Sequence, residues 1–256
     1  MMRNPPSSIT DLLDELSPLS SAPPRSADLR IHFPETTVKH PGVQLSRQET
    51  APTPTFSVSA TALSKNLTLP NCDLSPVSSH DSSAENATDN PAETANEPTS
   101  TEPDAPTSDT NPLTIPRFLV ATIDLDPPFP SFPVLGPILH GMQADLALST
   151  TATEDPENQG EFIPLEHDKN MMEHEDEGES VAGYVGPSPP PLGNPHRYLS
   201  LLWEQPRGLN SSRIREELGL REHGAIGAMK RMWWDQEDFE RRLGLGKVLA
   251  GNYFVV

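Results

Sequence analysis

From Ser64 to Pro112 the chain is dominated by Ser, Thr, Pro, Asn, Ala, Asp and Glu, with almost no large apolar side chain. Such a tract cannot bury enough surface to offset about 1–2 kcal/mol of backbone entropy per residue. It is expected to be a disordered insertion (64–112) in a surface loop. Loops of this length are tolerated because closure entropy grows only with the logarithm of length. Whatever core the chain builds must therefore join segments from both sides of the insertion. The composition agrees with one domain (1–256) carrying surplus chain. Apolar residues make up 34% of 256 positions and there are 30 prolines, against about 45–50% apolar in an ordinary globular chain when glycine is counted too.

The apolar segments outside the tract are short, and several alternate with a period of two. Leu29–Phe33 reads as a half-buried strand stopped by Pro34. Phe56–Ala60 has the same alternation, and a Pro41-Gly42 turn sits between short apolar runs. Arg117–Ile123 is rich in β-branched and apolar residues, the mark of a buried strand. Ile138–Met142 and Ala144–Leu148 read as a pair of short strands, and Tyr198–Glu204 and Val248–Val256 as two more. Helices are expected at the ends. Ser8–Leu16 places Ile9, Leu12, Leu13 and Leu16 on one face, with Ser8 or Thr10 as cap. Arg213–Leu218 has Ser211 or Ser212 before it and Gly219 after it. Asp235–Gly244 begins with acids and ends with two arginines and a glycine. Strands dominate with helices at the periphery, so the fold class is mainly β (α+β) with an antiparallel sheet.

Charge and cysteine usage narrow the function classes. The net charge is −19, and from Asp81 to Ser180 the only basic residues are Arg117 and Lys169. The last fifty residues hold half of the 18 Lys and Arg. An acidic excess repels nucleic acid and anionic membrane surfaces, so neither is an expected partner. Thr150–Ser180 reads as a second, acidic loop insertion (150–180). Its Glu166-His167-Asp168 and His174-Glu175-Asp176 fit no closed metal site. Cys72 is the sole cysteine, which excludes a disulfide framework and a thiolate metal site. The N-terminus lacks a secretory apolar core, and no run is long enough to span a membrane. The expectation is a soluble cytoplasmic protein without metal or cofactor. No nucleophile, metal or cofactor motif marks it as a standalone enzyme.

Three motifs carry chemistry. Asp124-Leu125-Asp126-Pro127-Pro128 puts two carboxylates at a strand end, on opposite sides of the chain, one able to face a cavity while the other faces solvent or caps the turn. Leu139-His140-Gly141 places a histidine on a short strand. Tyr184–Tyr198 contains Pro187, Pro189, Pro190, Pro191 and Pro195, then His196-Arg197-Tyr198. Proline fixes φ and donates no N–H, so this segment is neither helix nor central strand, but a stiff loop that delivers a histidine and an arginine to a strand start.

In order and spacing these motifs resemble the phosphatidylethanolamine-binding protein family, also described as Raf kinase inhibitor or carboxypeptidase Y inhibitor type. The first is similar to that family's Asp-Pro-Asp-Ala-Pro box. Leu139-His140 stands where the family has His followed by an aromatic, and Tyr184–Tyr198 resembles its Tyr-x-Gly-x-Gly-Pro-Pro…His-Arg-Tyr signature. The ending Phe239…Leu243-Gly244-Leu245-Gly246…Phe254 is similar to its last helix and strand. The resemblance implies a central antiparallel sheet with a smaller second sheet and one shallow anion-binding pocket. Asp124, His140, Ser188, Pro189, Pro190 and His196 would line it, with Asp124 orienting a histidine. The expected ligand is a small anion, a phosphorylated headgroup or a dicarboxylate, and the expected macromolecular partner a protease, a kinase or a biosynthetic enzyme. Departures at Leu125, Pro127, Gly141 and Ser188 set this chain apart. Gly141, where the family has an aromatic, is expected to remove a pocket wall. Fungal members of the family accompany enzymes that dimerise maleic anhydrides into nonadrides, so an accessory role in fungal secondary metabolism is one reading. An inhibitor of a carboxypeptidase or kinase, or a regulator that binds phospholipid headgroups, is the other.

Overall fold

A computed structural model describes residues 7–16, 27–67, 115–149, 161–167, 180–191, 193–220 and 226–256. Among these, the strands are β1 (Leu29–Phe33), β2 (Thr36–Val38), β3 (Val43–Gln44), β4 (Thr55–Ser59), β5 (Phe118–Asp124), β6 (Ile138–Leu148), β7 (Phe162–His167), β8 (Arg197–Glu204) and β9 (Ala250–Val255). They join in the order β2-β1-β4-β7-β6-β5-β8-β9-β3. Neighbours are antiparallel except the β3–β9 pair, which is parallel. The expected smaller sheet is continuous with the central one. The β1–β2 end returns towards β9, where buried Asn252 donates from Nδ2 to Leu29 O at 2.9 Å and Val38 O at 3.0 Å.

Each face of the sheet carries its own core. On one side Leu29, Phe33, Phe56, Phe118, Val120, Tyr198 and Phe254 pack together. On the other, Leu119, Ile123, Leu199 and Trp203 meet three helices: α1 (Ser7–Leu16) through Ile9, α3 (Ser211–Glu217) through Ile214, and α5 (Gln236–Leu243) through Phe239 and Leu243. With both faces covered, all seven residues of β5 are buried, which explains why its sequence is apolar without alternation. Two further helices, α2 (Ala60–Asn66) and α4 (Ala228–Arg231), complete the described elements. No helix among the described residues is long and apolar enough to cross a membrane.

Several expectations are corrected. The 150–180 segment is not loop throughout, because Phe162–His167 is β7, a strand between β4 and β6 in the middle of the sheet. Residues 150–160 and 168–179 lie outside the described residues, as does most of the 64–112 insertion together with Cys72 and His174-Glu175-Asp176. Ile138–Leu148 is one strand of 11 residues and not a pair. It stays continuous by placing Asp145 at φ 56, where the carboxylate accepts from Ser211 N and Oγ at 2.7 and 2.6 Å. Helix α1 starts at Ser7, so Ser8 and Thr10 lie inside it rather than capping it. Asn210, not Ser211 or Ser212, caps α3, accepting from Arg213 N at 2.9 Å. Gly244 closes α5 at φ 62, as the sequence indicated, and Asp235 stands just before the helix as its cap rather than within it.

Candidate functional site

Asp124 is the last residue of β5, directly opposite Tyr198 at the start of β8. The neighbouring residue His196 is held by a reciprocal backbone pair with Val256, at 2.9 and 3.1 Å. Sheet pairing thus brings a carboxylate and an imidazole together. Asp124 Oδ2 lies 2.9 Å from His196 Nδ1, and its Oδ1 accepts from Asp126 N at 2.9 Å. His196 Nε2 faces Pro128 O at 3.1 Å. Both ring nitrogens of His196 therefore lie within hydrogen-bond distance of protein oxygens. The ring is 1% exposed and has no nitrogen to spare for a ligand.

Asp126 does not face solvent. Its carboxylate is buried and accepts from Arg197 N and Nε, both at 2.9 Å, and from Nη2 at 2.7 Å. This fork explains Arg197. It ties the aspartate turn to β8, and the carboxylate raises the guanidinium's pKa.

His140 sits at an irregularity in β6. The β5–β6 register steps from Thr122↔Gly141 to Ile123↔Leu139, leaving His140 unmatched. A bulge of this kind re-aims a side chain. The His140 ring meets Tyr198 edge-on at 5.0 Å, and Nδ1 donates to Val185 O at 2.6 Å. Nε2 is 4.0 Å from Asp124 Oδ2, too far for a hydrogen bond. Burial pushes the His140 pKa below its ordinary value, the Val185 bond and Asp124 oppose that, and Arg231 adds to it. A neutral ring donating from Nδ1 carries a lone pair at Nε2. Of the four ring nitrogens in the two histidines, Nε2 of His140 alone has no hydrogen-bond partner among the described residues.

The proline loop stands beside this cluster. Pro189 is buried, Pro190 half-buried and Ser188 exposed. The loop is clamped from the Ser46–Ala51 turn: Arg47 Nη2 donates to Pro189 O, and Tyr184 OH donates to Thr50 O at 3.0 Å. A Cβ on Gly186 would lie 3.1 Å from Ala51 Cα, so glycine permits that approach. Pro190 O accepts from Gly193 N at 3.0 Å, and a Cβ on Gly193 would lie 3.3 Å from the Phe129 ring, next to Pro128. The structure thus joins Asp124, His140 and His196. Ser188, Pro189 and Pro190 form the adjacent loop, with no hydrogen bond to those three.

Two features escape sequence reasoning. Arg231, in the four-residue α4, is buried and donates from Nη1 to Leu139 O and His140 O at 3.2 and 3.1 Å, from Nη2 to Gly183 O at 2.7 Å, and from Nε to Ile226 O at 3.2 Å. One guanidinium thereby fastens the His140 bulge to the segment that leads into Val185. No motif surrounds Arg231, so only its position in the fold reveals it. Gly141 does not leave a wall missing beside His140. A Cβ there would lie 3.2 Å from the Tyr184 ring and 3.3 Å from Tyr184 Cα, so Tyr184 occupies the space. A cleft lined by Gly141, Met142 and Tyr184, among others, includes none of the six nominated residues in its lining.

Comparisons with known proteins bear on the family and the fold. The family model described as "Phosphatidylethanolamine-binding protein" matches residues 88–254. "Phomoidride biosynthesis cluster protein N" of Talaromyces stipitatus is 31% identical over 139 residues, 54% of this chain and 58% of that protein. "Carboxypeptidase Y inhibitor" of Saccharomyces cerevisiae is 30% identical over 97 residues, 38% of this chain and 42% of that protein. The chain thus matches about half the length of these curated relatives. A solved carboxypeptidase Y inhibitor, complexed with its cognate proteinase, has a TM-score of 0.53 and 18% identity, covering 96% of this chain and 90% of its own. That last likeness speaks for the fold.

Proposed function

The chain belongs to the phosphatidylethanolamine-binding protein family, and we propose that it binds a small anion, a dicarboxylate or phosphate, at His140, as an accessory protein of fungal secondary metabolism such as maleic-anhydride dimerisation to nonadrides. The observation that carries this reading is the division of labour between the two histidines. His196 and Asp124 hold one another and the turn, while His140 keeps one nitrogen open beside them. When an anion arrives, its charge favours the protonated His140 ring, which then donates from Nε2 against the burial that lowers its pKa in the empty site. Arg231 supplies fixed positive charge from behind the bulge, and Ser188 offers an exposed hydroxyl beside buried Pro189 and half-buried Pro190. The relative from a Talaromyces stipitatus biosynthesis cluster supports the metabolic setting.

Calorimetry with maleate and with inorganic phosphate tests the pocket. We expect His140→Ala to weaken binding at least tenfold and His196→Ala to weaken it by loosening Asp124. Unchanged affinity in both variants overturns the assignment. A second reading, inhibition of a serine carboxypeptidase, is favoured by the yeast relative of that name and by the solved inhibitor complex. Inhibition of carboxypeptidase Y by the purified chain at stoichiometric concentration would decide for it.

A further inference from the structure

We propose that the cleft where β6 and β7 part is a second binding site, for an uncharged molecule with an apolar body and one carbonyl or hydroxyl group. The β6–β7 ladder runs from Leu148↔Leu165 to Leu146↔His167, its last described pair. Further back along β6 the same edge is taken by another segment: Met142 and Ala182 exchange backbone hydrogen bonds at 2.9 and 3.1 Å, and Val185 N donates to His140 O at 2.8 Å. Between these two partners the sheet is split, and the Gln143 amide reaches across to Pro54 O at 3.0 Å. The split encloses a cavity of about 350 Å³, within the usual range for small-molecule sites.

Its chemistry differs from that of the histidine cluster next door. Phe56, Val120, Met142 and Tyr184 supply the walls, and Gly141 lets the Tyr184 ring lie close against β6. Polar side chains line it as well, Thr122, Gln143, His167 and Ser180 among them, with Thr53 and Thr55 at exposed positions. Gln143 is committed to Pro54, while Ser180 and His167 have no hydrogen-bond partner among the described residues. Those two are therefore the groups that fix a ligand's polar end. Burial holds the His167 ring below its ordinary pKa, against the pull of Asp145. A neutral imidazole and a hydroxyl suit a carbonyl or hydroxyl. An anion is disfavoured twice, by the loss of water against apolar walls and by the Asp145 carboxylate, whose charge acts on the ring. Asp145 is already bonded to Gln205 and Ser211, so it is not a waiting counter-ion for a cation.

The full chain should bind Prodan, an uncharged naphthyl ketone, saturably and with a blue-shifted emission. 1-Decanol should displace the probe at least tenfold more effectively than decanoate at pH 8. Thr53 and Thr55 line the cleft from exposed positions, so Thr55→Trp and Thr53→Trp fill it without disturbing the core. Each should weaken Prodan binding at least tenfold while the far-ultraviolet circular dichroism stays as in the parent. Absence of saturable binding to the parent chain overturns the proposal. So does unchanged affinity in whichever tryptophan variant folds, or equal displacement by decanoate. Phosphate calorimetry reports the His140 site separately, so either site can fail without the other.

Discussion

Two imidazoles about the same carboxylate have been put to opposite uses. At the His196–Arg197 corner every polar group is spent: His196 on Asp124 and Pro128, Arg197 on Asp126, Asp126 N on Asp124. At the His140 bulge the ring is anchored by one nitrogen, its backbone is held from behind by Arg231, and the other nitrogen is left open. The contrast teaches that a histidine beside an aspartate is not by itself a ligand-binding pair. The saturated corner provides rigidity, and only the unsaturated bulge has chemistry to offer.

Substitutions should divide along that line. The largest effect is expected for Asp124→Ala, which strands His196 Nδ1 and Asp126 N at buried positions. At about 1–3 kcal/mol for each unsatisfied buried group, the loss should be about 3–4 kcal/mol in urea unfolding, with ligand binding lost as well. A change below about 1 kcal/mol would mean the corner is not the rigid half. Arg231→Met comes next. It removes the guanidinium donor from the carbonyls of Leu139, Gly183 and Ile226, while His140 O keeps Val185 N, and should cost about 2–3 kcal/mol. Its second readout separates positioning from bulk stability. The Arg231 charge holds the His140 pKa down, so removing it should raise that pKa in an NMR titration and weaken phosphate binding more than stability alone explains.

Much of this arrangement was legible in the residues. The grouping of Asp124, His140 and His196 was expected only from the family resemblance, whereas the bounds of β1 and the Gly244 stop of α5 follow from local patterns. Such patterns work where a segment's neighbours are dictated by its own periodicity and caps. They failed at β7, where Pro164 in Phe162-Ile163-Pro164-Leu165 and the flanking acids mimic a loop. Proline is tolerated there because the strand still pairs through other groups, Ser149 N donating to Pro164 O at 2.8 Å. They also failed at Gly141. A missing side chain says nothing about which distant residue fills the gap, and Tyr184 does so from 43 positions away. The bulge at His140 was invisible for the same reason, since it is a property of the β5–β6 register.

The smallest expected effect is also the finest probe of the contrast. Burial lowers the pKa of His140 in the native state, and of His167 likewise, whereas the unfolded chain titrates near pH 6.5. Below that pH the unfolded state binds protons that the native state refuses, so stability should fall as pH drops from about 6.5 towards the native values. Each group contributes at most about 1.4 kcal/mol per pH unit over that window. His140→Asn keeps a donor for Val185 O but cannot titrate, so it should flatten the dependence between pH 6.5 and 5. An unchanged slope would show that His140 is not held neutral. Ligand binding should run the other way. Occupation of the site turns Nε2 into a donor, so affinity for sulfate, whose own charge is constant over this range, should rise as pH falls in the parent and stay flat in His140→Asn. The proton that weakens the empty protein strengthens the complex.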